Sequence, residues 1–193
     1  MDGFDLSRQG IAQLTQVSDE IVAQLEQHTT GYALTLAENR LTQLHGLQVF
    51  QHVVRLDVSD NRLMTLEGIQ ALRCLENLSA ARNSLTSIDA LHVLRGLKRL
   101  DVSENNLDSL DAIASLPSLV SIDASYNNLS RWPDLGKLVN LEALDLSSNL
   151  LSSPAPHVIP RLFPANLRRF AAANNQMREV CFNPFGNDSG LEN

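Results

Sequence analysis

The chain has 193 residues, 44% of them hydrophobic and 19% charged, with a formal net charge of −7. No apolar run approaches the roughly 18 residues of a membrane span, so a soluble single domain without membrane insertion is expected. The acidic balance also argues against nucleic acid as a direct ligand, because duplex affinity depends on basic contacts to phosphate.

Residues 1–30 read as an N-terminal capping repeat. Phe4-x-Leu6-x-x-Gln9-x-Ile11 puts two apolar side chains on one side of a short strand and a polar residue at the turn that follows. Ile11, Leu14, Val17, Ile21 and Leu25 then recur at steps of three and four. That spacing predicts an amphipathic helix, with Ser18 available within it as an N-cap. A plain helical cap without a strand is the competing reading.

A single frame runs through residues 31–180. Asn39, Asn61, Asn83, Asn105, Asn127 and Asn149 stand 22 residues apart, each inside Leu-x-Leu-x-x-Asn-x-Leu with conservative replacements. The first two units are Leu34-x-Leu36-x-x-Asn39-x-Leu41 and Leu56-x-Val58-x-x-Asn61-x-Leu63, and Leu78, Leu100, Ile122 and Leu144 open the next four. A fixed period of this length marks a repeat architecture. Apolar residues continue every third position, as in Leu63, Leu66, Ile69, Leu72 and Leu75. No straight helix buries so many phases, so each unit must be a strand, a turn and a returning segment. An interior amide is tolerated only when hydrogen-bonded, which gives the asparagines a structural role.

The next unit, Phe170-x-Ala172-x-x-Asn175-x-Met177, comes after a step of 26, so four residues are inserted. The insert falls among Pro154, Pro156, Pro160 and Pro164 and predicts an extended surface loop. Residues 181–193 read as a C-terminal cap and polar tail. Asn183-Pro184-Phe185 is taken as part of that cap, with an endocytic docking peptide as the alternative.

The frame resembles the leucine-rich repeat family, specifically the 22-residue class of eukaryotic intracellular proteins that includes protein phosphatase 1 regulators and centrosomal or ciliary adaptors. The resemblance covers most of the chain. It implies an α/β solenoid, curved, with a parallel β-sheet on the concave face and short helical or irregular return segments on the convex face. It also implies that Asn39, Asn61, Asn83, Asn105, Asn127, Asn149 and Asn175 form a buried ladder bonded to neighbouring backbone. Secreted members usually carry cysteine-clustered caps, whereas this chain has two scattered cysteines, Cys74 and Cys181, and starts Met1-Asp2-Gly3-Phe4-Asp5 without a basic, apolar leader. A cytoplasmic setting is therefore expected. A cytoskeletal address at a centriole, basal body or cilium follows from the family's company alone.

Catalysis has no support in the sequence. His28, His45, His52, His92 and His157 are scattered, without metal-ligand spacing, and neither a phosphate-cradling loop nor a nucleophile elbow occurs. No enzyme activity and no cofactor are expected. Cys74 reads as a small buried hydrophobe. Trp132 takes the frame place of Leu44, Leu66, Ile88 and Leu110 and is expected in the core.

The residue between the inward pair of each strand faces the concave side, as do those two before and two after it. The middle column reads Asp5, Thr35, Asp57, Ser79, Asp101, Asp123, Asp145, Ala171, and the preceding one Ala33, Arg55, Asn77, Arg99, Ser121, Ala143, Arg169. The following column is Ser7, Ala37, Ser59, Ala81, Ser103, Ser125, Ser147, Ala173, and is also expected to face solvent. Strands about 4.8 Å apart would stack Asp101, Asp123 and Asp145, with like-charge repulsion of about 1 to 3 kcal/mol. Such a ladder favours a cationic guest. Arg55, Asp57, Arg99, Asp101, Asp123, Tyr126 and Asp145 are the candidate protein-binding residues. The competing reading is a solvated face of habitual composition, with Arg55 and Arg99 neutralising the acids. The expected function is a noncatalytic protein-interaction module, an intracellular adaptor or scaffold, monomeric as an isolated domain, gripping a protein partner with a basic segment. The alternative is a regulatory subunit of an enzyme such as a phosphatase.

Overall fold

A Leu-x-Leu pair buries both side chains on one side only from an extended strand. The computed structural model describes residues 2–27, 30–154 and 163–177, and within them every unit opens on such a strand. These are β1 (Gly3–Asp5), β2 (Tyr32–Thr35), β3 (Val53–Asp57), β4 (Asn77–Ser79), β5 (Arg99–Asp101), β6 (Ser121–Asp123), β7 (Ala143–Asp145) and β8 (Arg169–Ala171). They pair in chain order as one open parallel sheet. Frame position stays on frame position, so Phe4, Leu34, Leu56, Leu78, Leu100, Ile122, Leu144 and Phe170 are successive partners.

Short 3-10 turns bring the chain back at Leu47–Val49, Ile69–Ala71, Asp89–Val93 and Asp111–Ser115. The first two start from Gly46 and Gly68 at φ of 107° and 101°. A Cβ at Gly68 would lie 2.6 Å from the Leu44 carbonyl oxygen, so only glycine fits there. The other two start differently, with the Ser87 and Ser109 hydroxyls accepting from the Asp89 and Asp111 N–H groups at 3.0 Å. Between sheet and returns lies one continuous core, in which Leu41, Leu44, Leu63, Leu66, Leu85, Leu107, Leu116 and Leu138 are fully buried. Cys74 is exposed, contrary to its reading as a core residue, because Leu72 and Leu75 take the inward positions on either side.

At the N-terminus β1 joins the sheet, so the cap is a strand-containing coil and not a plain helix. Its helix is shorter than the apolar spacing predicts. Leu14–Gln16 is a 3-10 turn held by the Gln16 side-chain oxygen, which accepts from the Ala12 and Gln13 N–H groups at 2.6 and 2.9 Å. The helix proper, α1, covers only Asp19–Glu26, with Ser18 as its N-cap rather than an interior residue. Toward the other end Trp132 is half-buried, its ring 6.3 Å from that of Phe170 and 6.4 Å from that of Phe163, and its N–H donates to the Ser152 carbonyl at 2.9 Å. The expected cap and tail at 181–193, with Cys181 and Asn183-Pro184-Phe185, lie outside the described residues, as do His157, Arg161 and most of the proline-dense insert.

The coils are locked together by the asparagines. The side-chain oxygens of Asn61, Asn83, Asn105, Asn127, Asn149 and Asn175 accept from the N–H groups of Leu41, Leu63, Leu85, Leu107, Leu129 and Leu151 one coil earlier, at 2.9 to 3.0 Å. Their amide nitrogens donate back to carbonyls of the preceding coil, from Leu36 for Asn61 to Leu146 for Asn175, and to carbonyls of their own turn. Asn39 does the same toward the capping coil, meeting Gln9 N–H, Ile11 N–H and Leu6 C=O. Gln9, in the corresponding frame place, is exposed.

Replacing Asn105 by alanine orphans the buried Leu85 N–H and leaves the Ala80 carbonyl with the Asn83 amide alone. We expect a loss on the order of 1 to 3 kcal/mol per orphaned group, read as a lower urea midpoint with an unchanged slope. An unchanged midpoint would show that these bonds contribute nothing to folding.

Candidate protein-binding face

Strand alternation aims the middle column of the sheet at solvent, and the pairing register puts Asp57 beside Ser79, then Asp101, Asp123 and Asp145 on consecutive strands. Each of these aspartates is half-buried and fixed by its own strand end. Asp57, Asp101 and Asp123 accept through Oδ1 from the N–H and hydroxyl of the serine two residues on, at 2.6 to 3.0 Å, and Asp145 accepts from the Ser147 N–H at 2.8 Å. The other carboxylate oxygen is left to the face. At Asp5 the hydrogen bonds from Ser7 hold the carboxyl below its usual value. These bonds also correct one expectation. The serine column does not stand open to solvent, because the serines turn down onto the aspartates and Ser59 and Ser125 are buried.

The column before it carries the arginines. Among the described residues Arg55 and Arg99 make no ion pair with an acid. Asn77 stands between them on β4. Its oxygen accepts from Arg99 Nη1 at 3.3 Å, and the other amide rotamer turns that oxygen to Arg55 Nε at 3.1 Å. The hollow of the sheet, about 510 Å³, is lined by Arg55, Asp57, Arg99, Asp101 and Asp123 together. Tyr126 and Asp145 do not line it. Asp145 lies one strand further on, and Tyr126 is 61% exposed at the rim.

That rim is an ordered feature, of which Tyr126 alone is among the candidates named from the sequence. The residue before each frame asparagine or its Gln9 counterpart, namely Arg8, Glu38, Asp60, Arg82, Glu104, Tyr126, Ser148 and Asn174, is left-handed with φ of 51° to 58°. The turn into the asparagine requires it, at a cost of roughly 1 kcal/mol or more each. The column is charge-paired along its first half: Arg8 with Glu38 at 2.6 Å, and Arg82 with Asp60 through two bonds of 2.6 Å. Arg82 reaches Glu104 only at 3.7 Å. The signal was available in the sequence as charges one position before the frame asparagine. No group of three or more metal-ligating side chains occurs among the described residues, and no helix among them is long and apolar enough to cross a membrane.

Comparison with known proteins matches this geometry. Leucine-rich repeat models match residues 51–72, 75–129 and 140–162. The chain is a leucine-rich repeat solenoid. A leucine-rich repeat protein of Leptospira interrogans superposes with a TM-score of 0.74 at 26% identity, over 91% of this chain and 50% of that one. Two internalins of Listeria monocytogenes, one of them internalin C2, superpose with TM-scores of 0.68 and 0.66 at 22% identity, over 78% and 76% of this chain. The chain spans 44% and 64% of those two internalins. No curated protein matches it. Leucine-rich repeat domains are typically noncatalytic and generally mediate protein–protein interaction, and no catalytic family is indicated. The eukaryotic phosphatase-regulator class has no match among these neighbours, which are bacterial.

The Asp60 carboxyl is held below its usual value chiefly by the Arg82 hydrogen bonds. Arg82 is 51% exposed, so solvent screening limits the pair to about 1 kcal/mol or less. Because the folded value is the lower one, this stability is present above the unfolded value and disappears as pH falls through the folded one. Asp60→Asn should melt slightly below wild type at neutral pH, and the difference should narrow as pH drops beneath the ordinary aspartate value of 3.8 and close below the lowered folded value. A difference that persists there would have a cause other than ionisation.

Proposed function

We propose that this solenoid is an adaptor or scaffold that grips a basic segment of a protein partner on its concave face, with Asp101, Asp123 and Asp145 as the main contacts. The observation that carries the reading is the run of three aspartates on neighbouring strands with no cation between them in the middle column. Each has one oxygen pinned by its own strand, so little side-chain entropy remains to be lost on binding. Tyr126 adds an exposed aromatic ring beside them, a residue type enriched at interfaces. We place the module in the cytoplasm as a monomer, with a cytoskeletal, centriolar or ciliary address. That address and the eukaryotic 22-residue class rest on the repeat frame alone.

The test is paired affinity purification from cells with wild-type and Asp101→Lys/Asp123→Lys/Asp145→Lys baits, followed by titration of the recovered partners. The triple variant should keep its circular dichroism spectrum and lose the partners, and wild-type binding should weaken as salt rises, since exposed charges are screened over about 8 Å at physiological ionic strength. A folded triple variant that retains its partners would overturn this assignment of the face. Recovery of a phosphatase catalytic subunit would favour the enzyme-regulator alternative.

A further inference from the structure

The concave face carries two charged rows. On the row formed by Ala33, Arg55, Asn77, Arg99, Ser121, Ala143 and Arg169 every charge is positive, and on the row two residues further along each strand every charge is negative. Rows separated by two residues of a strand are about 6.7 Å apart. Arg55 and Asp57 share one strand, and Arg99 and Asp101 another, yet neither pair closes into an ion pair. Asn77 offers one amide oxygen to the two guanidiniums and serves one at a time. A purely basic guest would satisfy the aspartates and meet repulsion from Arg55 and Arg99 in the same hollow. A nucleic acid would meet the reverse conflict.

Spacing narrows the guest further. The rows cross the strands, so their positions recur about every 4.8 Å: Asp101 and Asp123 are one step apart, and Arg55 and Arg99, like Asp57 and Asp101, are two steps, about 9.6 Å, apart. Along an extended chain same-side residues recur about every 6.7 Å and fall out of step at once, whereas a helix brings one flank round about every 5.4 Å. A helix also keeps its own backbone hydrogen bonds and asks nothing of a sheet whose inner strands are already paired on both edges.

Resting on the concave-face reading above, we infer that the partner presents an α-helix with one acidic and one basic flank. It lies along the solenoid axis with the acidic flank on Arg55 and Arg99 and the basic flank on Asp57, Asp101 and Asp123. Recognition then depends on both signs, and the guest is neither a simple polycation nor a polyanion.

The probes are alanine-based helical peptides of one length: Glu on one flank and Lys on the other, the same composition with signs mixed on each flank, all Lys, all Glu, and a short single-stranded oligonucleotide. Binding to the ¹⁵N-labelled protein is read from chemical-shift changes and fluorescence anisotropy. The two-flank peptide should shift the amides of β3 to β6 and bind tighter than the mixed one. Arg55→Gln/Arg99→Gln, with its fold checked by thermal melting, should weaken it by about three- to thirtyfold, as expected for two partly exposed ion pairs. Equal or tighter binding of the all-Lys peptide, indifferent to the arginine substitutions, would overturn the two-row inference and leave the basic-segment reading standing. Tighter binding of the oligonucleotide or the all-Glu peptide would assign the arginines to an anion alone and overturn it as well. No binding by any probe at millimolar concentration would sink both readings.

Discussion

One side chain holds this architecture together. The frame asparagine reaches the corner of its coil with an acceptor and a donor pointing at the coil before it, where a leucine N–H and a carbonyl wait at 2.9 to 3.0 Å. A coil by itself would bury that leucine N–H unpaired, the carbonyl keeping only the asparagine of its own coil, and burying an unpaired peptide group costs a large share of a small domain's net stability. The bond therefore couples each coil to its neighbour and makes the array additive along its length, as expected of a solenoid whose units cannot bury their apolar faces alone. The left-handed turn at Glu38, Asp60, Arg82, Glu104, Tyr126 and Ser148 is the local strain this bond offsets.

Because the asparagines fix register, they also fix chemistry. A slip of one residue would turn every concave side chain into the core. With register held from Phe4 to Phe170, two residues two places apart on every strand become two straight rows, and whatever charges the sequence writes there are summed along the axis. Arg55 and Arg99 fall in one row and Asp57, Asp101, Asp123 and Asp145 in the other. The serine two residues after each aspartate immobilises it, so the face is organised before any partner arrives. The fold itself is shared by proteins of many roles, so the function proposed above rests on these rows and on the rim.

Most of the fold was legible because periodicity is a global constraint: an asparagine every 22 residues with leucines at fixed offsets admits few other solutions. The middle column was legible for the same reason, since Asp101, Asp123 and Asp145 follow from strand alternation alone. What escaped depended on local competition. Gln16 turns its amide onto the Ala12 and Gln13 N–H groups and so delays α1 to Asp19, which apolar spacing at three and four could not reveal. The serine column was misplaced because alternation gives a side chain's direction and not its hydrogen bond, and Ser59 and Ser125 fold down onto Asp57 and Asp123. The rim pairs escaped because Arg82 chooses Asp60 over Glu104 by geometry, not by spacing, as both lie 22 residues away.

Native-state amide hydrogen exchange tests the central claim most directly. The N–H groups of Leu41, Leu63, Leu85, Leu107, Leu129 and Leu151 lie outside the strands and owe their pairing to an asparagine oxygen. If the ladder couples the coils, the inner members of this set, Leu85 and Leu107, will exchange as slowly as the β5 strand amides, through the same cooperative opening. Exchange of Leu85 and Leu107 at the rate of exposed loop amides would contradict the account, because the asparagines would then decorate a solenoid held together by its leucines alone.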